Sequence, residues 1–132
     1  MMKSTLVIPP LAVLTLAGLA FADAQPSRLV EMEIVDTPKQ GAVHTSHFAM
    51  AVVEDRGWFS TNTSDGASNV HATARIDRDR SANVVLNVEV ERRGSGDLDV
   101  HAAKVVTATA SRSLMGRVER DTGVSELFVT VR

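Results

Sequence analysis

The residues most suggestive of chemistry are two histidines, His44 and His47, in the segment HTSH. Zinc is commonly held by histidine nitrogens, but it needs three or four ligands in a tetrahedron. A helix would place both rings on one face, whereas a strand points side chains three residues apart to opposite sides. We predict a strand here, so a metal site would also need His71 and His101 from other strands. The simpler interpretation is four surface or hydrogen-bonded histidines, because histidine is commonly of intermediate burial.

No arrangement typical of an enzyme is present. Serines and aspartates are numerous, but none lies in a G-x-S-x-G segment, and cysteine catalysis is excluded because the chain has no cysteine. The paired carboxylates Glu31/Glu33 and Glu89/Glu91 could do acid–base chemistry. The simpler interpretation is that they lie on the solvent-exposed face of a sheet, because polar and apolar residues alternate along these strands. We therefore predict a protein that is not an enzyme and that has no cofactor.

A charge-dense segment, residues 77–80, has the sequence Asp-Arg-Asp-Arg. Its alternating carboxylates superficially resemble a calcium loop, but arginines occupy the interleaved positions and no later glutamate completes an EF-hand pattern. We predict a solvated hairpin tip.

The adjacent aromatic residues Trp58 and Phe59 are the candidate binding residues. On a strand, one of the two points inward and the other outward. An exposed aromatic side chain could anchor a partner, since such residues are enriched at interfaces. The alternative is core packing for one ring and a sheet-edge position for the other.

The N-terminus has the three parts of a secretory signal peptide. Lys3 supplies a positive charge, residues 6–19 are uncharged and mostly apolar, and Ala20 and Ala22 form an A-x-A site. The apolar run is too short for a transmembrane helix, which needs about 20 residues. We predict a signal peptide over residues 1–22, with cleavage after Ala22 or, as second choice, after Ala24, and no membrane span in the processed chain.

Composition limits the cellular compartments and the classes of partner that are expected for this protein. The full chain has 14 basic and 16 acidic residues, and removal of Lys3 would leave 13 against 16. This weak acidity argues against a nucleic-acid partner, which usually requires a concentrated basic patch. The short signal, the A-x-A site and the absence of cysteine fit a bacterial periplasmic or secreted protein.

Period-two alternation of apolar and polar residues runs through the rest of the chain and predicts half-buried strands. The clearest strand covers residues 84–90, where four apolar side chains share one face. A last hairpin is expected across Asp121, Thr122 and Gly123. After a flexible lead-in over residues 23–28, we predict one all-β domain over residues 29–132: an antiparallel β-sandwich or small open barrel of six to eight strands.

The favoured function is protein–protein contact in the bacterial envelope, as an adaptor, chaperone-like or inhibitor module with an unknown protein partner. Open sheet edges offer the mechanism, because unpaired backbone groups can recruit a partner strand. The first and last strands, residues 29–35 and 127–131, are the expected edges. The alternative function is a periplasmic protein that binds metal or a small molecule through His44, His47, His71 and His101.

Overall fold

The computed structural model describes residues 27–66, 68–94, 96–106 and 111–132. Its strands are β1 (Ser27–Pro38), β2 (His44–Val53), β3 (Phe59–Asp65), β4 (Ser68–Arg78), β5 (Val84–Arg93), β6 (Leu98–Val106), β7 (Arg112–Arg120) and β8 (Gly123–Val131). The all-β prediction is confirmed. The predicted signal peptide lies outside the described residues, as do residues 23–26 of the lead-in. The first strand begins two residues earlier than expected.

The strands form two four-stranded sheets in which all neighbours are antiparallel. Sheet I has the order β2-β1-β8-β7, and sheet II has the order β3-β4-β5-β6. The chain passes from sheet I to sheet II after β2 and returns after β6, so β2 lies near β3 on one side and β6 near β7 on the other. Eight strands in two sheets match the predicted β-sandwich.

The predicted edges are wrong. The first strand, β1, and the last, β8, pair with each other in the middle of sheet I, with Val30 opposite Val131 and Pro38 opposite Gly123. The edges are instead β2 and β7 in sheet I and β3 and β6 in sheet II. Alternation reveals which residues are buried but not which strands pair, and this pairing joins segments about one hundred residues apart in sequence.

The core is formed by every second residue of both sheets. Sheet I contributes residues such as Met32, Ile34 and Leu127, and sheet II contributes Ile76 and Val88, all at most 2% exposed. The predicted alternation over residues 84–90 is confirmed, since every second side chain from Leu86 to Val90 is buried and Val84 packs against the same core. β-Branched residues favour this arrangement because their stiff side chains fit a pleated surface.

The last hairpin forms where it was predicted. Gly123 has φ +153°, and a Cβ atom there would lie 2.4 Å from the Thr37 carbonyl oxygen. Glycine is therefore required by the close approach of β8 to β1 as well as by the turn. None of the described residues belongs to a helix with the length and apolar character needed to span a bilayer.

Candidate functional site

The structure separates the four histidines. His44 and His47 lie on β2 in sheet I and, being three residues apart, point to opposite faces of it. His71 on β4 and His101 on β6 lie on the outer face of sheet II. Within the described ranges, no group of three or more histidine, cysteine, aspartate or glutamate side chains could hold a metal ion.

Three of the histidines have separate local partners on the surface. His47 Nε2 lies 3.7 Å from a Glu33 carboxylate oxygen, and His71 Nδ1 lies 2.6 Å from the Asn62 side-chain oxygen. His101 Nε2 lies 3.2 Å from an Asp99 carboxylate oxygen. These are the short-range contacts of exposed strand residues, and the rings do not converge on one point.

A buried polar cluster lies at one end of the sandwich, where sheet I contributes Asp36 and Ser125 and sheet II contributes Arg92. The Arg92 guanidinium donates to both Asp36 carboxylate oxygens, at 2.8 and 2.9 Å. The Arg92 Nε also donates to the Gly96 carbonyl oxygen, at 2.7 Å. Arg92 is only 4% exposed. We call Asp36, Arg92 and Ser125 the first clamp, because their contacts join the two sheets.

The hydroxyl of Ser125 is committed to the first clamp and is not arranged as a nucleophile. It donates to Asp36 Oδ1 and accepts hydrogen bonds from Arg92 at 3.2 Å and from Arg120 at 2.7 Å. Ser125 is 1% exposed, so a substrate cannot reach it. An activated serine needs a base that takes its proton, and here the proton faces a carboxylate that is already held by the Arg92 guanidinium.

The pKa of Asp36 is lowered by its surroundings. Burial by itself raises this pKa, but the hydrogen bonds from Arg92 and Ser125 and the positive charge of Arg92 outweigh burial. Asp36 is therefore ionised across the neutral pH range, as an inter-sheet ion pair requires.

A second clamp, formed by Arg28, Glu54 and Arg78, lies at the opposite end of the sandwich. Glu54 follows β2 and is fully buried. Its Oε2 accepts from Arg28 Nε at 2.6 Å, and its Oε1 lies 3.4 Å from Arg78 Nε. Arg28 belongs to sheet I and Arg78 to sheet II, so this ion pair also joins the sheets. Breaking such a buried pair is strongly destabilising, because the remaining charge stays buried without a partner.

Neither clamp was identified from the sequence, although a signal was present. Each member continues a buried alternation by one step: Asp36 follows Ile34, Arg92 follows Val90, and Glu54 follows Val52. A charged residue at the next inward position must be paired or lie at the end of the sheet. The sequence could have indicated where these residues lie, but not which of them pair.

Glu31 and Glu33, which were predicted to lie on a solvent-exposed face of a sheet, form surface ion pairs. Glu31 accepts from Arg132 Nε at 2.9 Å, and Glu33 accepts from Arg112 at 2.6 and 2.8 Å. The Arg112 guanidinium also lies 3.5 Å from the centroid of the Phe128 ring. These carboxylates stabilise contacts between strands of sheet I and do not face one another across a cleft.

The aromatic pair divides as expected. Phe59 begins β3 and packs against the core, whereas Trp58 precedes the strand and is 47% exposed. Trp58 lies in the connection between β2 and β3, on the side of the sandwich that these two edge strands form. Its large exposed ring is suited to anchor a partner on that side.

The two sides of the sandwich differ in how their edge strands are protected. β7 has a register shift between Leu114 and Gly116. β6 and β7 together carry six charged residues: Asp99, Lys104, Arg112, Arg117, Glu119 and Arg120. Charges and bulges are the usual means by which proteins prevent an edge strand from pairing with another chain.

By contrast, β2 has no aspartate, glutamate, lysine, arginine or proline, and it pairs with β1 in unbroken register from Val53 to His44. Its neighbour β3 has Asp65 as its single charged residue. We call the side formed by β2 and β3 the charge-poor side.

Comparison with known proteins adds nothing to this description, because no protein-family model, curated protein or solved structure matches the chain.

Proposed function

We propose that the chain is an exported, non-enzymatic β-domain that acts by protein–protein contact in the bacterial envelope, as an adaptor, chaperone-like or inhibitor module. The contact is made by the charge-poor side, where a strand of the partner adds to the β2 edge or the β3 edge. Export rests on the signal-peptide pattern of residues 1–22.

The observation that carries this proposal is the unequal protection of the edges. A strand edge presents a row of unpaired N–H and C=O groups, and a partner strand gains affinity from hydrogen bonds to that row. On the charge-poor side, β2 has no acidic residue, lysine or arginine and no register shift in its pairing with β1 that would oppose the addition of a strand. Trp58 borders the same side and offers a large apolar contact.

The test places lysines on the exposed face of the unprotected edge. Ala49 and Ala51 are exposed, alternate residues of β2, and the variant Ala49→Lys/Ala51→Lys supplies the charges that this edge lacks. The matched control is Ala103→Lys/Val105→Lys, which changes two exposed, alternate residues of β6 on the other side. The tagged protein and both variants are used to capture partners from envelope extract, and the captured proteins are quantified.

We expect the β2 variant to lose at least one partner that the β6 variant retains, because lysines on an edge strand disfavour strand addition. Thermal unfolding of both variants, followed by circular dichroism, checks that the sandwich is intact. Equal capture by all three proteins, or repeated failure of the unmodified protein to capture any partner, would contradict the proposal.

A further inference from the structure

A cavity with a volume of about 370 Å³ lies beside the first clamp, where it is lined by residues of β1, β5, β7 and β8. This volume is within the range of sites that take small organic molecules. The ionisable residues of its lining are Asp36, His44, Arg92 and Arg120, and the other described lining residues carry no charge. We call this space the clamp cavity.

Two guanidinium groups converge on one hydroxyl in the lining of the clamp cavity. Ser125 Oγ accepts from Arg92 at 3.2 Å and from Arg120 at 2.7 Å. A Cβ atom on Gly96 would lie 3.0 Å from Arg92 Nη2 and 3.8 Å from Arg120 Nη1, so both side chains also lie against the same glycine. Two positive charges are therefore held side by side, and their repulsion is strong because Arg92 is shielded from water.

A single carboxylate in the cavity lining faces these two cations. Asp36 binds both terminal nitrogens of Arg92, so its negative charge is matched by that guanidinium. The half-buried Arg120 instead donates to the Ser125 hydroxyl and to the backbone carbonyl of Asp97. Among the residues that the structure describes, no carboxylate forms an ion pair with Arg120. The positive charge of Arg120 is therefore the one that lacks a counterion.

The acidic side chains near Arg120 in the sequence or the fold lie outside the cavity lining. The Asp97 carboxylate accepts from the Gly94 N–H at 3.3 Å, and Glu119 pairs with Arg117 at 3.2 Å. Asp121 is exposed in the last hairpin and does not line the cavity. With its histidine counted as neutral, the cavity lining has two arginines against one aspartate and thus a surplus of one positive charge.

We propose that the clamp cavity binds a carboxylate, which Arg120 holds beside the first clamp. Arg120 uses two of the five N–H groups of a guanidinium, and the others can donate to both oxygens of a carboxylate. A monoanion matches the single surplus charge, whereas the negative charge of Asp36 disfavours a phosphate dianion in the same cavity. The carboxylate belongs to a small organic acid or to the C-terminus of a peptide. Its binding is independent of strand addition, because the cavity lies at an end of the sandwich and not along a strand edge.

The test compares acetate with acetamide, which has nearly the same size and shape but no charge. Protein labelled with ¹⁵N is titrated with each compound at constant ionic strength, and its NMR signals are followed. The Nε–H signal of Arg120 and the backbone N–H signals of Gly96 and Thr122 report on the cavity lining. We expect acetate to shift these signals to a saturating value and acetamide to leave them unchanged.

The variant Arg120→Gln should lower the affinity for acetate by about tenfold or more, because it removes hydrogen bonds in which the donor is charged. Arg120→Lys keeps the positive charge without the planar fork, so its affinity should lie between the two. The matched control Arg117→Gln removes a positive charge from the same strand outside the cavity lining and should leave the affinity unchanged. Circular dichroism checks that each variant is folded.

N-acetylated dialanine and its C-terminal amide distinguish the two sources of the carboxylate. Binding of this peptide acid more tightly than acetate, with loss of binding on amidation, would assign the cavity to a chain terminus, and equal or weaker binding would assign it to a free organic acid.

Four results would overturn the inference: no saturable shift with acetate, equal shifts with acetate and acetamide, tighter binding of inorganic phosphate than of acetate, or equal weakening by Arg120→Gln and Arg117→Gln. If Arg120→Gln does not fold, the comparison of acetate with acetamide on the unmodified protein decides. A protein that captures its partner through the charge-poor side but does not bind acetate would refute this inference alone.

Discussion

Replacing Asp36 with alanine leaves the guanidinium of Arg92 buried without its carboxylate partner. The Arg92 side chain is 5% exposed, so water cannot replace the two lost hydrogen bonds. Loss of one member of a buried pair costs about 3–5 kcal/mol, because the remaining charge is uncompensated. We expect Asp36→Ala to lower the free energy of unfolding by an amount in this range.

The reverse substitution, Arg92→Met, should cost less. It leaves the carboxylate of Asp36, which is 26% exposed and keeps its hydrogen bond from Ser125, so water can solvate the remaining charge. We expect a loss of about 1–3 kcal/mol. The double variant Asp36→Ala/Arg92→Met removes both charges and should be more stable than Asp36→Ala alone, because no unpaired charge stays buried.

Urea denaturation of the three variants, followed by circular dichroism and by the fluorescence of Trp58, measures these differences. Unequal costs of the two single variants, in the stated order, would support the first clamp as the connection between the sheets. If Arg92→Met cost more than Asp36→Ala, or if the two losses were additive in the double variant, the burial argument would be refuted.

Three further predictions concern packing, acid stability and processing. Gly116→Ala would bring a Cβ atom to 2.6 and 2.8 Å from the Val100 methyl carbons, so we expect a loss of about 1–3 kcal/mol that Val100→Ala partly restores, measured by thermal unfolding. Because folding lowers the pKa of Asp36, this carboxylate contributes to stability above its ordinary pKa of 3.8, and the contribution is lost as the pH falls through the lower folded value. The free energy of unfolding of Asp36→Asn should therefore depend less on pH below pH 4 than that of the unmodified protein. Mass spectrometry of the exported protein should find an N-terminus at Asp23 or, as second choice, at Gln25, and an intact N-terminus would contradict the signal-peptide prediction.

The local character of the strands was predictable because alternation is a property of neighbouring residues. The buried faces of β5 and β8 could be predicted because their apolar residues recur at every second position. Examples are Leu86 and Val88 in β5 and Leu127 and Val129 in β8. The separation of His44 and His47 follows from the same geometry. Each of these predictions needs only the direction in which a strand points its side chains.

Strand order was not predictable in the same way. The pairing of β1 with β8 places the first and last strands side by side in the middle of sheet I, so the prediction that they form the sheet edges is wrong. The partners Asp36 and Arg92 are 56 residues apart and lie on different sheets. Contacts of this kind depend on how the sheets pack, which a period-two pattern does not encode.

The central claim, that a partner strand adds to the charge-poor side, is tested most directly by hydrogen exchange. The backbone N–H groups of β2 and β3 are compared with those of β6 and β7, in the free protein and in its complex with a captured partner. Strand addition predicts slower exchange along residues 44–53 or 59–65 and unchanged exchange along β6 and β7. Protection confined to β6 and β7, or no protection of any edge strand, would contradict the claim.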